Sequence, residues 1–368
     1  MDDSADVGLV RTIVRSSHWA TFSDERSHDA FAGARTYLIA RRACLHMEYT
    51  TLGSTGMTVS RICLGCMSFG TSADWMLDAD ESREIIERAI DLGITFFDTA
   101  NVYSKGESEQ ILGDVLADYD RDEQVIATKV YGVMDQDNPN ARGLARKAIE
   151  QELAHSLERL GVETIDLYQT HRWDYDTPIE ETLRTLDDAV RRGQVRYIGT
   201  SSMWAHQFAE ALHTSDRLDL ERFVSMQNHY NLVYREEERE MLPLCAKEGV
   251  GVIPWSPLAQ GYLTRPHEEI DATARGEGLA DRHTEYRAGG GPAINERVAE
   301  LADQQDATMA QIALAWHLHT EPVTAPIVGV SKLAHLEEAV EAVDISLSSD
   351  DLAFLEEPYE SVEVSGHQ

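Results

Sequence analysis

The feature that most constrains the fold of this chain is a repeated alternation of short apolar segments with amphipathic segments of helical period. Eight apolar segments are predicted as strands, near residues 62–65, 94–98, 124–130, 165–170, 195–200, 223–227, 251–255 and 325–329. Helical patterns follow them, near residues 81–92, 108–118, 142–160, 179–192, 204–214, 236–248, 295–305 with 309–319, and 333–342. Eight strand-then-helix units in about 320 residues predict an α/β protein of the (β/α)8, or TIM-barrel, class.

A doubly wound parallel sheet is the alternative arrangement of the same units. Two sequence motifs commonly mark the phosphate-binding loops of such sheets, GxGxxG after a strand and GxxxxGK[ST], and both are absent. Their absence favours the barrel.

The region ahead of the barrel pattern has two parts. Residues 49–62 alternate around Gly53-Ser-Thr-Gly56, which predicts an N-terminal β-hairpin. Residues 1–46 hold six acidic residues, six Arg and no Lys. We expect no signal peptide among them, because Arg11 interrupts their apolar run. We expect residues 1–46 to be a poorly ordered extension, or the result of a start site placed ahead of Met47, and residues 47–368 to form the barrel.

The charge balance argues against one class of partner, and the length of the uncharged stretches argues against another. The chain has 65 Asp and Glu against 32 Lys and Arg, a net charge of −33. A field of this sign repels phosphate backbones, so we expect no nucleic-acid partner. The longest uncharged stretch covers 16 residues, 249–264, and contains Pro254 and Pro257. A membrane span needs roughly 20 apolar residues, so we expect no membrane partner either.

The cysteines are too few for a disulfide scaffold, because the 368 residues contain only Cys44, Cys63, Cys66 and Cys245. This usage favours a reducing, cytoplasmic compartment. Cys63 and Cys66 have CxxC spacing, but they fall on a predicted strand, where residues three apart point to opposite faces. No second CxxC completes a zinc site. We expect neither a metal site nor a redox pair.

Polar residues mark the carboxyl ends of three consecutive predicted strands. Asp98 ends one strand and Tyr103 follows it in the next loop, while Lys129 and His171 end the two strands after it. In a barrel the carboxyl ends of all strands ring one face, where active sites are built. These four side chains are therefore expected to converge.

The chemistry of the four residues is complementary for the reduction of a carbonyl group. Tyrosine is a weak acid at neutral pH, and the cation of Lys129 would lower the pKa of Tyr103. Asp98 would hold and balance Lys129, and His171 would hydrogen-bond the carbonyl oxygen of the substrate. Taken alone, such residues more often have a structural role, as a cap, a packed ring or a surface charge. Their joint placement indicates a proton-donating site.

These residues lie in segments that resemble the aldo/keto reductase superfamily over residues 47–368. The segments are Phe97-Asp-Thr-Ala-Asn-Val-Tyr103, Ala127-Thr-Lys129, Tyr168-Gln-Thr-His171, Ile198-Gly-Thr-Ser-Ser202, Met226-Gln-Asn228, Pro254-Trp-Ser-Pro-Leu-Ala-Gln-Gly261 and Ile327-Val-Gly-Val-Ser-Lys332. Residues 168–174 and 201–208 are most similar to the branch of aryl-alcohol dehydrogenases and related bacterial reductases. Potassium-channel β subunits are a neighbouring branch.

The resemblance implies a nicotinamide cofactor, usually NADP(H), bound across the carboxyl ends of the strands without a Rossmann fold. It implies Tyr103 as general acid, with Lys129, Asp98 and His171 in the roles given above. It assigns cofactor contacts to Ser201, Ser202 and Gln227 at the nicotinamide carboxamide, Trp255 at the nicotinamide ring, Ser256, Leu258 and Gly261 at the pyrophosphate, and Gly329, Ser331, Lys332, His335 and Glu338 at the adenosine-phosphate end.

Three positions depart from the family pattern. Ser202 and Ala339 stand where Asn is common, and His335 stands where Arg is common. Lys332 still supplies the positive charge that a 2′-phosphate needs in an acidic protein. Residues 259–292, rich in Gly and charge, are expected to form a loop that folds over the cofactor.

The expected function is reduction of an aldehyde or ketone, a small-molecule carbonyl substrate, by NADPH, with the proton from Tyr103. The alternatives are a cofactor-sensing partner subunit of the channel-β type and a cofactor-binding barrel with negligible turnover. The acidic surface and the aryl-alcohol-type segments favour the enzyme. Its pocket is expected to draw on Met67, Trp75, Trp173 and Trp204, which indicate apolar or aromatic carbonyls.

We predict that salt stabilises the folded chain. A net charge of −33 destabilises a compact state by self-repulsion in dilute buffer. At about 1 M salt the Debye length falls to about 3 Å and the repulsion largely vanishes. The midpoint of thermal unfolding should therefore rise with KCl concentration, as expected of a protein from a salt-rich cytoplasm. A midpoint that stays constant would instead indicate a merely acidic protein.

Overall fold

The strands of the fold are β1 to β10, in a computed structural model that describes residues 47–272 and 280–367. They are β1 (Tyr49–Thr51), β2 (Thr58–Ser60), β3 (Cys63–Gly65), β4 (Phe96–Asp98), β5 (Val125–Val130), β6 (Ile165–Thr170), β7 (Val195–Ser201), β8 (Phe223–Gln227), β9 (Gly251–Val252) and β10 (Ile327–Gly329). The extension predicted over residues 1–46, with Cys44, lies outside the described residues.

Strands β3 to β10 form one parallel sheet that closes into a barrel. Neighbours in the sheet follow chain order from β3 to β9, and β10 lies beside β3. Further hydrogen bonds join the segments of β9 and β10, which are the two edges. The Thr324 N–H donates to the Val252 carbonyl at 2.7 Å, and the Ile327 N–H donates to the Pro254 carbonyl at 2.9 Å. A doubly wound sheet keeps two free edges. The predicted (β/α)8 class is therefore confirmed.

Helices connect successive strands of the sheet. They are α1 (Ala79–Asp91), α2 (Glu107–Leu116), α3 (Arg146–Leu160), α4 (Ile179–Arg191), α5 (Ala205–Leu218), α6 (Met241–Glu248), α7 (Ala280–Ala288), α8 (Gly291–Gln305), α9 (Met309–Leu318), α10 (Leu333–Glu341) and α11 (Ser349–Glu356). Gly161 and Gly249 adopt the left-handed conformation at the C-caps of α3 and α6, where glycine is favoured.

Two predicted helices begin later than the sequence pattern indicated. The pattern over residues 142–160 becomes helical at Arg146, because Gly143 has φ +79°. The pattern over residues 236–248 divides into a 3-10 turn (Glu236–Glu238) and α6. Pro243 lies in the first turn of α6, where its missing N–H removes no helical hydrogen bond.

The segment expected to be a loop over residues 259–292 contains helical structure. It holds short 3-10 turns at Ala259–Gly261 and His267–Ala272, the helix α7 and the start of α8. The polar composition of α7 hid its periodicity. This helix is anchored by His283 and Tyr286, each 1% exposed.

The hairpin of β1 and β2 covers the amino-terminal end of the barrel. Tyr49 lies opposite Ser60 in the antiparallel pair, as predicted for a hairpin ahead of the barrel. Its apolar residues Leu52 and Val59 join a cluster with Phe96, Leu167 and Ile253 inside the barrel. The carboxyl ends of the strands are thereby left as the face on which a site can be built.

We predict that Gly113→Ala destabilises the barrel, because α2 and α3 pack backbone to backbone at this glycine. A Cβ at Gly113 would lie 2.5 Å from the Leu160 carbonyl oxygen of α3. Relieving this overlap should cost on the order of 2 kcal/mol and lower the thermal midpoint by several degrees.

Gly56→Ala is the matched control, because a Cβ at Gly56 would have no atom within 4 Å. Equal thermal midpoints for the two variants would contradict the close approach of the two helices.

Candidate active site

A buried ion pair lies at the carboxyl ends of β4 and β5. The Lys129 Nζ lies 2.5 Å from Asp98 Oδ1, and both side chains are almost fully buried. The ammonium also donates to the Thr99 carbonyl at 2.8 Å and to the Tyr103 hydroxyl at 3.3 Å. Three acceptors thus satisfy its three N–H bonds. Burial alone would lower the pKa of Lys129, but Asp98 and Tyr103 outweigh it and raise that pKa, so the side chain stays charged.

The second oxygen of Asp98 is held by two amides from across the barrel. Gln169 Nε2 and Gln227 Nε2 each donate to Asp98 Oδ2 at 2.9 Å. Gln227 Nε2 also donates to Gln169 Oε1 at 3.2 Å. The carboxylate is therefore fixed from β4, β5, β6 and β8 together. The sequence analysis gives no role to Gln169, although this residue lies in the segment Tyr168–His171, two residues before His171.

Tyr103 lies over the ion pair because its loop continues the pairing of β4 with β5. The Thr99 N–H donates to the Ala127 carbonyl at 2.9 Å and the Asn101 N–H donates to the Lys129 carbonyl at 3.1 Å. Lys129 Nζ lies 4.9 Å from the centroid of the Tyr103 ring. The two residues after Tyr103, Ser104 and Lys105, have φ values of +46° and +56°, which turn the chain sharply into α2.

The pKa of Tyr103 moves in the direction opposite to the simple expectation. Burial is the largest influence and raises it, while the nearby ammonium of Lys129 lowers it without cancelling the effect of burial. Tyr103 is therefore a protonated phenol at neutral pH. Lys129 does lower the pKa of Tyr103, as expected, but it only limits the rise that burial causes.

His171 is a neutral imidazole beside Tyr103. The two rings meet edge to face with centroids 5.7 Å apart. Burial, followed by the charges of Lys129 and Arg172, holds the pKa of His171 well below its usual range. No described residue hydrogen-bonds its ring nitrogens. The four residues predicted to converge, Asp98, Tyr103, Lys129 and His171, are thus brought together, with a phenol and an imidazole facing a common space.

The residues expected at a nicotinamide carboxamide lie next to this centre. Ser201 Oγ donates to the Gln227 carbonyl at 2.8 Å, and Ser202 Oγ accepts from Trp255 Nε1 at 3.0 Å. Both N–H bonds of the Gln227 amide are used within the protein, whereas no described group donates to its Oε1. That oxygen and the serine hydroxyls are the atoms able to bind an amide. Ser202 has φ +44°, a conformation that Asn, common here in the family, also adopts readily.

Trp255 is half-buried, with one face of its indole covered by the His229 ring at 4.3 Å and 11° between the planes. His229 is in turn stacked on Tyr234 at 4.1 Å. This stack holds the indole rigidly. A flat ring can therefore bind only on the side of Trp255 away from His229.

The turn after Trp255 has the backbone geometry of an anion site. Ser256, Ala259 and Gln260 have φ values of +54°, +49° and +56°. Among the described residues, the N–H groups of Ser256 and Leu258 have no protein acceptor, and Gln260 Oε1 is a buried acceptor with no partner. Successive N–H groups in such turns form concavities that bind phosphate oxygens. The free N–H groups of Ser256 and Leu258 could therefore hold a pyrophosphate, whereas the Gly261 N–H donates to the Leu258 carbonyl at 3.0 Å.

The residues expected at the adenosine-phosphate end gather basic charge. Lys332 and His335 are exposed, near the N-terminus of α10. His335 is partly desolvated, which lowers its pKa. Glu338 raises that pKa, and the charges of Lys332 and Arg265 lower it, so these three groups act on the imidazole. Gly329 ends β10, and Ser331 follows it in the same segment. The sequence analysis did not name Arg265. The one sequence feature that marks it is its position directly after the uncharged stretch of 16 residues.

The residues expected around a substrate pocket are on loops at the same face. Met67 and Trp75, on the loop after β3, are 45% and 41% exposed. Trp173 is half-buried on the loop after β6, and Trp204 packs on His367 near the C-terminus with centroids 4.9 Å apart. Tyr175, 63% exposed on the loop after β6, adds an aromatic ring that sequence reasoning did not name.

The three cysteines that the structure describes do not form a second site. Cys63, Cys66 and Cys245 are free and buried, and burial raises the pKa of each thiol. The sulfurs of Cys63 and Cys66 both lie within 4.0 Å of the Leu64 carbonyl oxygen. Because β3 ends at Gly65, Cys66 lies just beyond the strand on which the expected divergence of the thiols was based.

Residues 47–272 and 280–367 contain neither a candidate metal site nor a candidate membrane span. No cluster of three or more His, Cys, Asp or Glu side chains is arranged to hold a metal ion. None of the helices in these residues has the length and apolar character to cross a membrane.

Comparison with known proteins bears on this geometry. Residues 61–360 match the model of the aldo/keto reductase family. A Schizosaccharomyces pombe protein with the provisional name aryl-alcohol dehydrogenase is 43% identical over 86% of this chain and 97% of its own length. The versiconal hemiacetal acetate reductase of Aspergillus parasiticus is 42% identical over 85% and 97%. The aldo-keto reductase dtxS3 of Metarhizium robertsii is 40% identical over 87% and 93%. The chain belongs to the aldo/keto reductase family.

Proposed function

We propose that the protein reduces the carbonyl group of an aldehyde or ketone to the alcohol, with NADPH as electron donor and Tyr103 as proton donor. The observation that carries the proposal is the Tyr103 hydroxyl held 3.3 Å from the ammonium of Lys129, which is itself paired with Asp98. Membership of the aldo/keto reductase family and relatives named as reductases support carbonyl reduction in general.

The protein's contribution to the reaction is the positioning and delivery of one proton. The carbonyl oxygen accepts hydrogen bonds from the Tyr103 hydroxyl and from neutral His171, which polarise the C=O bond. Bound NADPH supplies a hydride to the carbonyl carbon. As negative charge develops on oxygen, the Tyr103 O–H bond breaks and its proton forms the alcohol. The resulting phenolate faces the ammonium of Lys129, which stabilises it until water returns a proton.

The residues of the chain fit a nicotinamide dinucleotide over its whole length. Gln227 Oε1, Ser201 and Ser202 would hold the carboxamide, and the open face of Trp255 would take the nicotinamide ring. The free N–H groups of Ser256 and Leu258 would hold the pyrophosphate. Lys332 and Arg265 would pair with a 2′-phosphate, and neutral His335 would donate a hydrogen bond to it. The positive charge of Lys332 and Arg265 in a chain of net charge −33 supports NADPH over NADH.

We predict that Tyr103→Phe abolishes turnover and leaves NADPH binding intact. Loss of a positioned general acid should lower kcat by about 10²- to 10⁴-fold, because the ring is kept and only the proton is removed. Oxidation of NADPH followed by absorbance, with a panel of aromatic and short-chain aldehydes in molar KCl, measures the loss. Tyr119→Phe, on the loop before β5, is the matched control and should keep full activity.

Two other outcomes would contradict the proposal. Tight NADPH binding by the unaltered protein with no turnover of any aldehyde would favour a cofactor-sensing subunit. Unchanged turnover in Tyr103→Phe would remove Tyr103 as the proton donor.

We predict that Lys332→Ala weakens NADPH and spares NADH. A charge-assisted hydrogen bond to a phosphate is worth about 1.5–3 kcal/mol, so the dissociation constant of NADPH should rise roughly 10- to 100-fold. Arg265→Ala should act in the same direction. Fluorescence titration with both dinucleotides measures the ratio, and exposed Lys147→Ala on α3 is the control. Equal losses for NADPH and NADH would contradict a 2′-phosphate site here.

A further inference from the structure

Arg172 places an unused cation beside the reaction centre. It directly follows His171 at the carboxyl end of β6, and its Nη1 donates to the His171 carbonyl at 2.6 Å. That is the one hydrogen bond that its side chain makes to the described residues. A guanidinium carries five N–H donors, so most of its capacity is left open.

The lack of a carboxylate partner is unusual for a half-buried arginine of this chain. Within the described residues, no Asp or Glu oxygen lies within ion-pair distance of Arg172, whereas the similarly placed Arg88, Arg159 and Arg235 are all paired. Arg265, at the expected adenosine-phosphate end, is also half-buried and without a carboxylate among the described residues. Arg61 lacks a carboxylate too, but it donates to three backbone carbonyls. Arg172 has no such substitute.

The nearest acidic side chain in the sequence is engaged elsewhere. Asp174 Oδ2 accepts from the Leu144 N–H at 2.7 Å and from Thr177 Oγ1 at 2.9 Å. Its Oδ1 accepts from the Asp176 N–H at 2.9 Å. Asp174 therefore braces its own loop and leaves Arg172 without a counter-ion, although the chain has about two acids for every base.

The guanidinium of Arg172 lies against the backbone of His171, whose ring meets Tyr103 edge to face with centroids 5.7 Å apart. It contributes to the lowered pKa of His171, opposes the burial that raises the pKa of Tyr103, and acts in the same way on Tyr131 at the end of β5. The guanidinium is itself partly desolvated, and burial lowers its pKa. A partly desolvated cation with free donors in a binding site recognises anions strongly, most of all bidentate carboxylates.

We propose that Arg172 determines substrate specificity by binding a carboxylate of the substrate, so that the preferred substrates are aldehydes or ketones that carry an acid group. This inference rests on the proposed carbonyl reduction and names its substrate class. The carboxylate forms a fork-to-fork pair with the open N–H groups of Arg172. The carbonyl group of the same molecule reaches Tyr103 and His171. The site thereby attracts an anionic substrate to a protein whose net charge of −33 repels it.

Matched pairs of acidic and neutral aldehydes test this assignment. The probes are the three isomers of carboxybenzaldehyde against their methyl esters, and succinic semialdehyde against butanal, with NADPH at fixed KCl. For at least one pair, the unaltered enzyme should prefer the acid. In Arg172→Leu, kcat/KM for that acid should fall about 10- to 100-fold more than kcat/KM for its neutral partner, and the difference should lie mainly in KM. Arg172→Lys should be intermediate, because it keeps the charge without the fork.

Arg184→Leu is the matched control, since Arg184 is exposed on α4 and lies away from the site. Equal losses on acid and neutral substrates in Arg172→Leu, or an unaltered enzyme that prefers the neutral partner in every pair, would overturn the assignment while carbonyl reduction stands. An unaltered enzyme that reduces none of the aldehydes would overturn the proposed function, and the assignment with it.

Discussion

The buried pair of Lys129 and Asp98 is the interaction on which the rest of the site depends. Desolvating two charges is costly, and removing one partner of a buried pair typically costs about 3–5 kcal/mol. The pair is held here because each member is saturated: Asp98 accepts from Lys129, Gln169 and Gln227, and Lys129 donates to Asp98, Thr99 and Tyr103. Of these partners, only the Tyr103 hydroxyl can change its charge during a reaction. The proton donation proposed for Tyr103 would therefore depend on this ion pair.

The barrel makes this arrangement possible through strand register. Asp98 pairs with Ala127 on the neighbouring strand, Lys129 pairs with Gln169, and Ser201 pairs with Gln227. Residues from five strands, β4 to β8, therefore meet near the carboxyl end of the sheet, and the loop that carries Tyr103 extends that register. The opposite end is filled by the apolar residues of the hairpin. Chemistry and packing are kept at separate ends of one barrel.

Much of this could be predicted because strand ends are encoded locally. Apolar runs bounded by polar residues and glycines located all eight strands, and Asp98, Lys129 and His171 stand at such ends. What depended on three-dimensional packing was missed. No local pattern marks Gln169 or Arg265, because their neighbours Asp98 and His335 are distant in the sequence. Arg172 has no counter-ion because Asp174 is engaged elsewhere, which the sequence does not show. The polar helix α7 has too weak a pattern, and the pKa of Tyr103 depends on a depth of burial that no spacing reveals.

The most direct test of the central claim is a double-mutant cycle on kcat with Lys129→Met, Asp98→Asn and the two combined. Circular dichroism and NADPH binding would confirm that each variant is folded. Residues that act as one unit are strongly non-additive. The account predicts that each single change lowers kcat by at least about 10²-fold and that the double variant is little worse than the poorer single one. Additive losses would contradict the account, because they would mean that Lys129 and Asp98 serve the reaction independently.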